Sequence, residues 1–352
     1  MDDHCVVLGL DVADYITCAY HDLTLRDDVA IAWGVKGRLA RTLKKLSTSF
    51  KVNAVLRVPL QSIWARYEIS QCRPGRGDRH IFVCFESPEG LNPAYLQYVR
   101  RAYPRSALCL ILLNPLDENV SERLNRVESL YDVIITCNEA DATRRGWLYH
   151  PDCYSRVPSE IGAVAQSDVC FIGTAKDRVA TAHAVYTRIR ETGLACDFWI
   201  VGKEQEYPES DGFRYLSRML PYSEYLARIG ATKCILEIVA RDAHYCTLRT
   251  MEAVTYEKKL LTTNRMIVEE PFFQAENIQV FRNAEDIDVG FIQLPYSPLA
   301  AGDLFSPAHL LEFISSAVAE RVAGTVAQSE TTADGRCTMV GECPSNVAAN
   351  KS

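Results

Sequence analysis

Glu237, Thr247, Arg249 and Glu252 fall close together in the segment Lys233 to Asn264, KCILEIVARDAHYCTLRTMEAVTYEKKLLTTN. Their types suit recognition of a phosphorylated ligand, because an arginine neutralises a diphosphate and a carboxylate accepts hydrogen bonds from ribose hydroxyls. The spacing indicates the elements that must hold them. The apolar run Cys234–Val239 reads as a strand containing Glu237, Thr247 caps a helix-period segment carrying Arg249 and Glu252, and Leu260 with Leu261 starts the next strand. The loop after a parallel strand, followed by a helix amino terminus with unpaired N–H groups, is where α/β proteins hold phosphates. His244 lies in that loop, where it can contact a phosphate.

A second constellation precedes it. Gly173-Thr-Ala-Lys176-Asp-Arg178 follows the apolar run Val169–Gly173 and opens a helix, so its backbone and two cations can meet an anion. It is neither a Walker motif nor a GxGxxG fingerprint, since Ala175 stands in place of the second glycine. Asp11, Glu86 and Asn114 each come just after an apolar run in the first half of the chain, at the ends of strands where ligands bind. Asp286-Ile-Asp288 has the DxD form of a divalent-metal site, but such isolated matches are common. No metal site is expected.

Glu237 at a strand end, followed by Thr247, Leu248, Arg249, Met251, Glu252 and Ala253 at a helix start, resembles the carboxy-terminal donor unit of GT-B glycosyltransferases. The resemblance is to bacterial enzymes of lipopolysaccharide and capsule assembly. It extends in segment order over roughly residues 50 to 320 and is sharp only at 233–264. It implies two Rossmann-like domains facing a cleft and a nucleotide-sugar donor, with no cofactor. Donor contacts then fall to Gly173, Lys176, Arg178, Glu237, His244, Thr247, Leu248, Arg249 and Glu252. The family's loop is usually glycine-rich, whereas Asp242, Ala243, His244 and Tyr245 stand here. Transfer with inversion also needs a general base from the opposite domain. Glu86 is the candidate, with Asp11 behind it; a retaining enzyme needs no such base.

The bulk of the chain fits this reading. Its 352 residues, 48% hydrophobic, suit two α/β domains, and a net charge of −7 argues against a general nucleic-acid binder. The start, MDDHCVV, lacks a secretory signal, and no apolar run approaches the roughly 18 residues of a spanning helix. A soluble, cytoplasmic protein is expected. The thirteen cysteines are scattered without paired CxxC spacing and read as reduced, mostly buried small hydrophobes.

Strands are expected at Cys5–Leu10, Ile81–Phe85, Leu108–Leu113 and Val133–Thr136, and helices at Pro93–Arg101 and Ser121–Leu130. The expected domains are 1–152, a linker over 153–166 with little periodicity, and 167–322 ending in a helix at Pro307–Val322 that crosses back to the first domain. Residues 323–352 read as a disordered tail. Val35, Leu39, Leu43 and Leu46 share one helical stripe, ringed by Lys36, Arg38, Arg41, Lys44 and Lys45. Such a segment either packs on the core or lies on an anionic membrane surface, with peripheral contact through 35–46 serving a glycan or lipid-linked acceptor. Arg57, Trp64, Arg66 and Tyr67 extend its basic and aromatic character.

These features support a glycosyltransferase of cell-surface polysaccharide biosynthesis. A non-catalytic nucleotide-sugar-binding or assembly protein on the same fold is the rival, and sugar-nucleotide epimerisation a third reading. The transferase reading requires Glu252 to reach into the interdomain groove.

Overall fold

The runs HIFVCF and ALCLIL are buried at every position, as parallel strands covered by helices on both faces must be. The structure, a computed structural model, describes residues 4–49, 52, 61–75, 78–158, 164–202, 206–239, 246–299 and 305–334. In the first domain β1 (His4–Leu8), β2 (Val29–Ala32), β3 (His80–Phe85), β4 (Ala107–Leu112), β5 (Val133–Thr136) and β6 (Leu148–Tyr149) form one parallel sheet in the order β2-β1-β3-β4-β5-β6. In the second, β7 (Ser167–Thr174), β8 (Cys196–Val201), β9 (Phe213–Leu216), β10 (Thr232–Glu237), β11 (Lys259–Thr262) and β12 (Ile278–Val280) pair as β12-β11-β10-β7-β8-β9, again all parallel.

The first domain carries helices α1 (Asp14–Ala19), α2 (Arg38–Thr48), α3 (Gln61–Cys72), α4 (Pro93–Ala102), α5 (Glu118–Leu124) and α6 (Glu139–Arg145). The second carries α7 (Val179–Arg190), α8 (Tyr222–Ala231), α9 (Leu248–Thr255), α10 (Val289–Gln293) and the closing α11 (Pro307–Asp334). This is an architecture of two Rossmann-like α/β domains, each a parallel sheet flanked by helices.

Both sheets reverse their strand order once, and such switch points are where α/β sheets leave a crevice for ligands. In the first sheet the reversal lies between β1 and β3, so the loops holding Asp11 and Glu86 flank it. Gly9 makes the first loop possible. Its φ is +79°, and a Cβ there would meet Ser87 Oγ at 2.7 Å. In the second sheet the reversal lies between β7 and β10, which places the Gly173–Arg178 and Thr247 loops side by side.

Several boundaries differ from the sequence expectation for local reasons. Strand β1 ends at Leu8 because Gly9 turns the chain. Helix α5 starts before Ser121 because Asp117 caps it, accepting from the Val120 N–H at 2.7 Å. Strands β2, β6 and β9 are short and partly exposed, so they lack the continuous apolar run that marks a central strand. Helix α11 crosses back onto the first domain against β5, with the Phe313 ring 5.2 Å from His150. It runs to Asp334, past the boundary expected at residue 322, because Ala323 to Asp334 contains one glycine and no proline to stop it.

The start of the expected linker, residues 153–155, is hydrogen-bonded to segments near both ends of the chain. Tyr154 N–H donates to Phe305 O at 2.7 Å, Ser155 N–H to Ala19 O at 2.7 Å, and Ser155 Oγ accepts from Asp22 N–H at 3.0 Å. Cys153 and Tyr154 thereby join one apolar layer that continues from the inner face of the first sheet to that of the second. Eight of the eleven described cysteines are buried, as small hydrophobes are.

Candidate active site

The carboxyl ends of both sheets enclose a space of about 260 Å³ between the domains. One wall comes from the first domain and the interdomain segment: Tyr15, Asn114, Asp152 and Cys153. The facing wall comes from the second domain: Arg178, Thr247, Leu248 and Arg249. Four residues chosen from sequence as donor contacts thus share one cavity, together with Asn114 from the opposite domain.

Thr247 is the N-cap of α9, its hydroxyl accepting from Arg249 N–H at 3.2 Å. The Arg249 guanidinium donates to Ile172 O and lies 5.9 Å from the Phe171 ring centroid, which fixes one edge of the fork. Gly173 leaves room for that arrangement. A Cβ on Gly173 would sit 2.9 Å from the Phe171 ring and 3.4 Å from Arg249 Nη2. Gly173 is itself buried, so it positions the arginine and does not offer its backbone to a phosphate as expected. Replacing Gly173 with alanine should press the Phe171 ring against the Arg249 guanidinium and weaken the binding of a phosphorylated ligand in the cavity, pyrophosphate being the probe, about tenfold, as titration calorimetry would measure.

Lys176 is exposed at the start of the loop to α7 and outside the cavity lining; its φ is +37°, left-handed for a non-glycine residue. Asp11 is also exposed and outside the lining, and its Oδ2 accepts from Gly34 N–H at 2.9 Å. Glu86 is half-buried one layer behind the wall, bonded to the Leu113 backbone and the Asn114 side chain, while its Oε2 has no hydrogen-bond partner. Burial raises its pKa above the ordinary carboxylate value, and those two bonds oppose the rise. His244 lies outside the described residues.

The two glutamates of the sharp motif do something other than expected. Glu237 is 1% exposed and accepts from Thr247 Oγ1 at 2.5 Å, Thr250 Oγ1 at 2.8 Å and Thr262 Oγ1 at 2.5 Å. Glu252 is likewise 1% exposed. Tyr225 donates to its Oε2 and Tyr222 to its Oε1 at 2.8 Å, while the Tyr154 hydroxyl lies 3.4 Å from Oε1 and 2.9 Å from the Tyr222 hydroxyl. The expectation that Glu252 reaches into the groove toward a ribose is therefore corrected. Its carboxylate is enclosed by tyrosines from α8 and the interdomain segment, and Glu237 by threonines at the start of α9 and at the end of the neighbouring strand β11. Both acids build the wall and are withdrawn as ligand contacts.

Asp152 was not singled out in the sequence, yet it lines the cavity. Burial pushes its carboxyl up to about 7, with a hydrogen bond to Cys137 opposing the rise. Tyr15, on the same wall, feels both Glu86 and Asp152. One acid of raised pKa, Asp152, thus faces Arg178 and Arg249 across the cavity, with Glu86 behind the same wall.

A larger space, about 810 Å³, lies at the amino-terminal edge of the second sheet between Ser167, Trp199, Gly212 and Arg228. Its Arg228 is paired with Asp197 at 2.9 Å and with Glu224 at 3.1 Å, and its edge is opposite to the one where sheets of this kind bind ligands. Among the described residues no group of three or more His, Cys, Asp or Glu is placed to hold a metal ion.

No family model matches the chain, and no curated protein matches it. Among solved structures, a trehalose-phosphate synthase from Burkholderia vietnamiensis is 10% identical with a TM-score of 0.46, over 96% of this chain and 100% of that one. The catalytic domain of starch synthase IV from Arabidopsis thaliana is 10% identical with a TM-score of 0.44, over 75% and 77%. The Gap123 glycosylation-associated complex from Streptococcus agalactiae is 11% identical with a TM-score of 0.42, over 77% of this chain and 58% of that one. The chain thus spans little more than half of that last relative. Likeness this distant carries no argument about activity.

Proposed function

We propose that the protein transfers a glycosyl group from a nucleotide sugar to a hydroxyl acceptor at the interdomain cavity. The enclosure of Glu252 removes the contact that the transferase reading required of it, so the reading rests instead on Asp152 on one wall facing Arg178, Arg249 and the start of α9 on the other. Arg178, Arg249 and the α9 amino terminus would neutralise the diphosphate as it departs, a task that divalent metal performs elsewhere, so the reaction is proposed to be metal-independent. Asp152 would take the proton of the acceptor hydroxyl, and Glu86 would hold Asn114 in place behind it. At about 260 Å³ the cavity suits the sugar and diphosphate portion, with the base extending beyond it. An acceptor belonging to cell-surface polysaccharide assembly in the cytoplasm is proposed from the resemblance in segment order over residues 50 to 320 alone.

A thermal-shift series with uridine, guanosine, cytidine and thymidine diphosphate sugars tests the proposal. One base class should stabilise the protein by about 3 kcal/mol at a hundredfold excess over Kd and should then release its nucleoside diphosphate. Stabilisation without release would favour the rival, a nucleotide-sugar-binding protein without turnover. The enclosure of Glu237 and Glu252 speaks for that rival, since it leaves α9 without a carboxylate for the ribose. No stabilisation by any of the four would remove both readings.

A further inference from the structure

Helix α2 presents the three leucines of its apolar stripe outward, while Val35, just before the helix, is buried. Leu39, Leu43 and Leu46 are 75%, 46% and 52% exposed, while Lys44, one of the ring of cations, turns inward. Its ammonium pairs with Glu68 and with Glu89, the latter at 2.6 Å, and both acids are buried. Gln61 Nε2 donates to Ser47 O at 3.0 Å and Trp64 Nε1 to Ser47 Oγ at 2.7 Å, so α2 is fixed against α3 in this rotation. Removing a partner from a buried charge cluster is costly, and the helix cannot roll its leucines inward without doing so. The helix therefore packs through Lys44, Ser47 and Thr48 and leaves its leucines off the core.

The exposed face has company. Ile63 and Tyr67 on α3 are 55% and 47% exposed. Lys36, Arg38, Arg41, Lys45 and Arg66 are exposed as well. Residues 29 to 67 contain eight lysines and arginines and no aspartate or glutamate, in a chain whose net charge is −7. Leucines ringed by cations, with acids excluded over so long a stretch, match the boundary between anionic headgroups and acyl chains.

We propose that α2 and the exposed face of α3 dock the protein on an anionic lipid surface. The argument stands on the first domain alone and holds whether or not the cavity turns over a nucleotide sugar. Its placement is nevertheless suggestive for an acceptor. The loop leading into α2 is held at Gly34 by Asp11, at the carboxyl edge of the first sheet, which is the edge that opens on the cavity. A docked α2 would bring that edge to the lipid.

Co-sedimentation of the full chain with phosphatidylcholine vesicles, with and without phosphatidylglycerol, tests the proposal. Binding is expected only when phosphatidylglycerol is present, and it should weaken as salt is raised. Leu39→Ser with Leu43→Ser should reduce it more than tenfold, and Lys45→Gln about fivefold, near the contribution of one basic residue at such a surface. The leucines are exposed, so the thermal midpoint should hold. Absence of binding to phosphatidylglycerol vesicles, or binding indifferent to the leucine substitutions, would overturn the proposal. So would a large fall in midpoint, which would mean that the chain covers its own stripe. A dimer in sedimentation equilibrium that the substitutions dissociate, without vesicle binding, would assign the face to a second copy instead.

Discussion

Glu252→Ala should lower the unfolding free energy of the protein by about 3–5 kcal/mol, a fall of roughly 4–7 °C in thermal midpoint. The substitution leaves the hydroxyls of Tyr225, Tyr222 and Tyr154 in a buried site without the carboxylate that now accepts from them. Each orphaned hydroxyl costs about 1–3 kcal/mol, although Tyr154 and Tyr222 retain one another and moderate the sum. Calorimetry measures the loss, and a change below about 1 kcal/mol would mean that the carboxylate is not enclosed. Glu252→Gln separates charge from packing. Burial pushes Glu252 up to about 7, against the pull of Tyr225, Arg249, Tyr222 and Tyr154. A carboxyl whose folded pKa is raised contributes stability that is complete below its unfolded value and is lost as pH climbs through 7. The glutamine variant should therefore show a flatter decline of stability between about pH 4.5 and 7. It should also keep the nucleotide affinity of the folded protein, whereas a Glu252 that reached into the groove would lose it.

Much of the fold could be read from local pattern. Fully apolar runs such as Ile81–Phe85 and Leu108–Leu112 announce central parallel strands, and Thr247 announces α9 through a capping preference that acts within one turn. The cavity lining was partly legible for the same reason: Arg178, Thr247, Leu248 and Arg249 sit at strand-to-helix junctions, whose position relative to a cleft follows from the topology. What escaped depends on partners remote in sequence. The enclosure of Glu252 comes from Tyr222 and Tyr225, about one helix upstream, and from Tyr154, 98 residues away. Nothing near Glu252 distinguishes an acid that binds a ribose from one that holds three tyrosines, although Tyr222 and Tyr225, three apart on one helix, were a signal that could have been weighed. Lys44 is similar. Its neighbours suggest a solvated basic face, and only Glu68 and Glu89, far along the chain, draw it inward. Asp152 was lost because its segment has no period at all, and segments without period are read as linkers.

That omitted aspartate gives the largest expected effect on turnover. Asp152→Asn should reduce kcat by about 10²–10⁴-fold, the contribution of a positioned general base, while leaving nucleotide-sugar affinity unchanged or slightly tighter. Affinity does not suffer, because the substitution removes a negative charge from a cavity that must receive a diphosphate. The pH dependence makes the assignment specific. A base must be ionised to act, so kcat should fall about tenfold per unit as pH drops below 7, the value to which burial pushes this carboxyl, and Asp152→Asn should lack that limb. Stability should move the other way. The folded pKa is raised, so ionisation above pH 7 opposes folding, and Asp152→Asn should be the more stable protein at pH 8. An acid retained for structure would not give this pairing of gained stability with lost turnover, which is expected where a strained charge is kept for chemistry. Glu86→Gln is the companion measurement, because Glu86 lies behind Leu113 and Asn114, both of which line the cavity. It should cost about tenfold in kcat and preserve the acidic limb, being one step removed from the proton in flight. If Glu86→Gln instead erases the limb and Asp152→Asn keeps it, the proton goes to Glu86, and the wall of the cavity must open by one side chain to let the acceptor reach it.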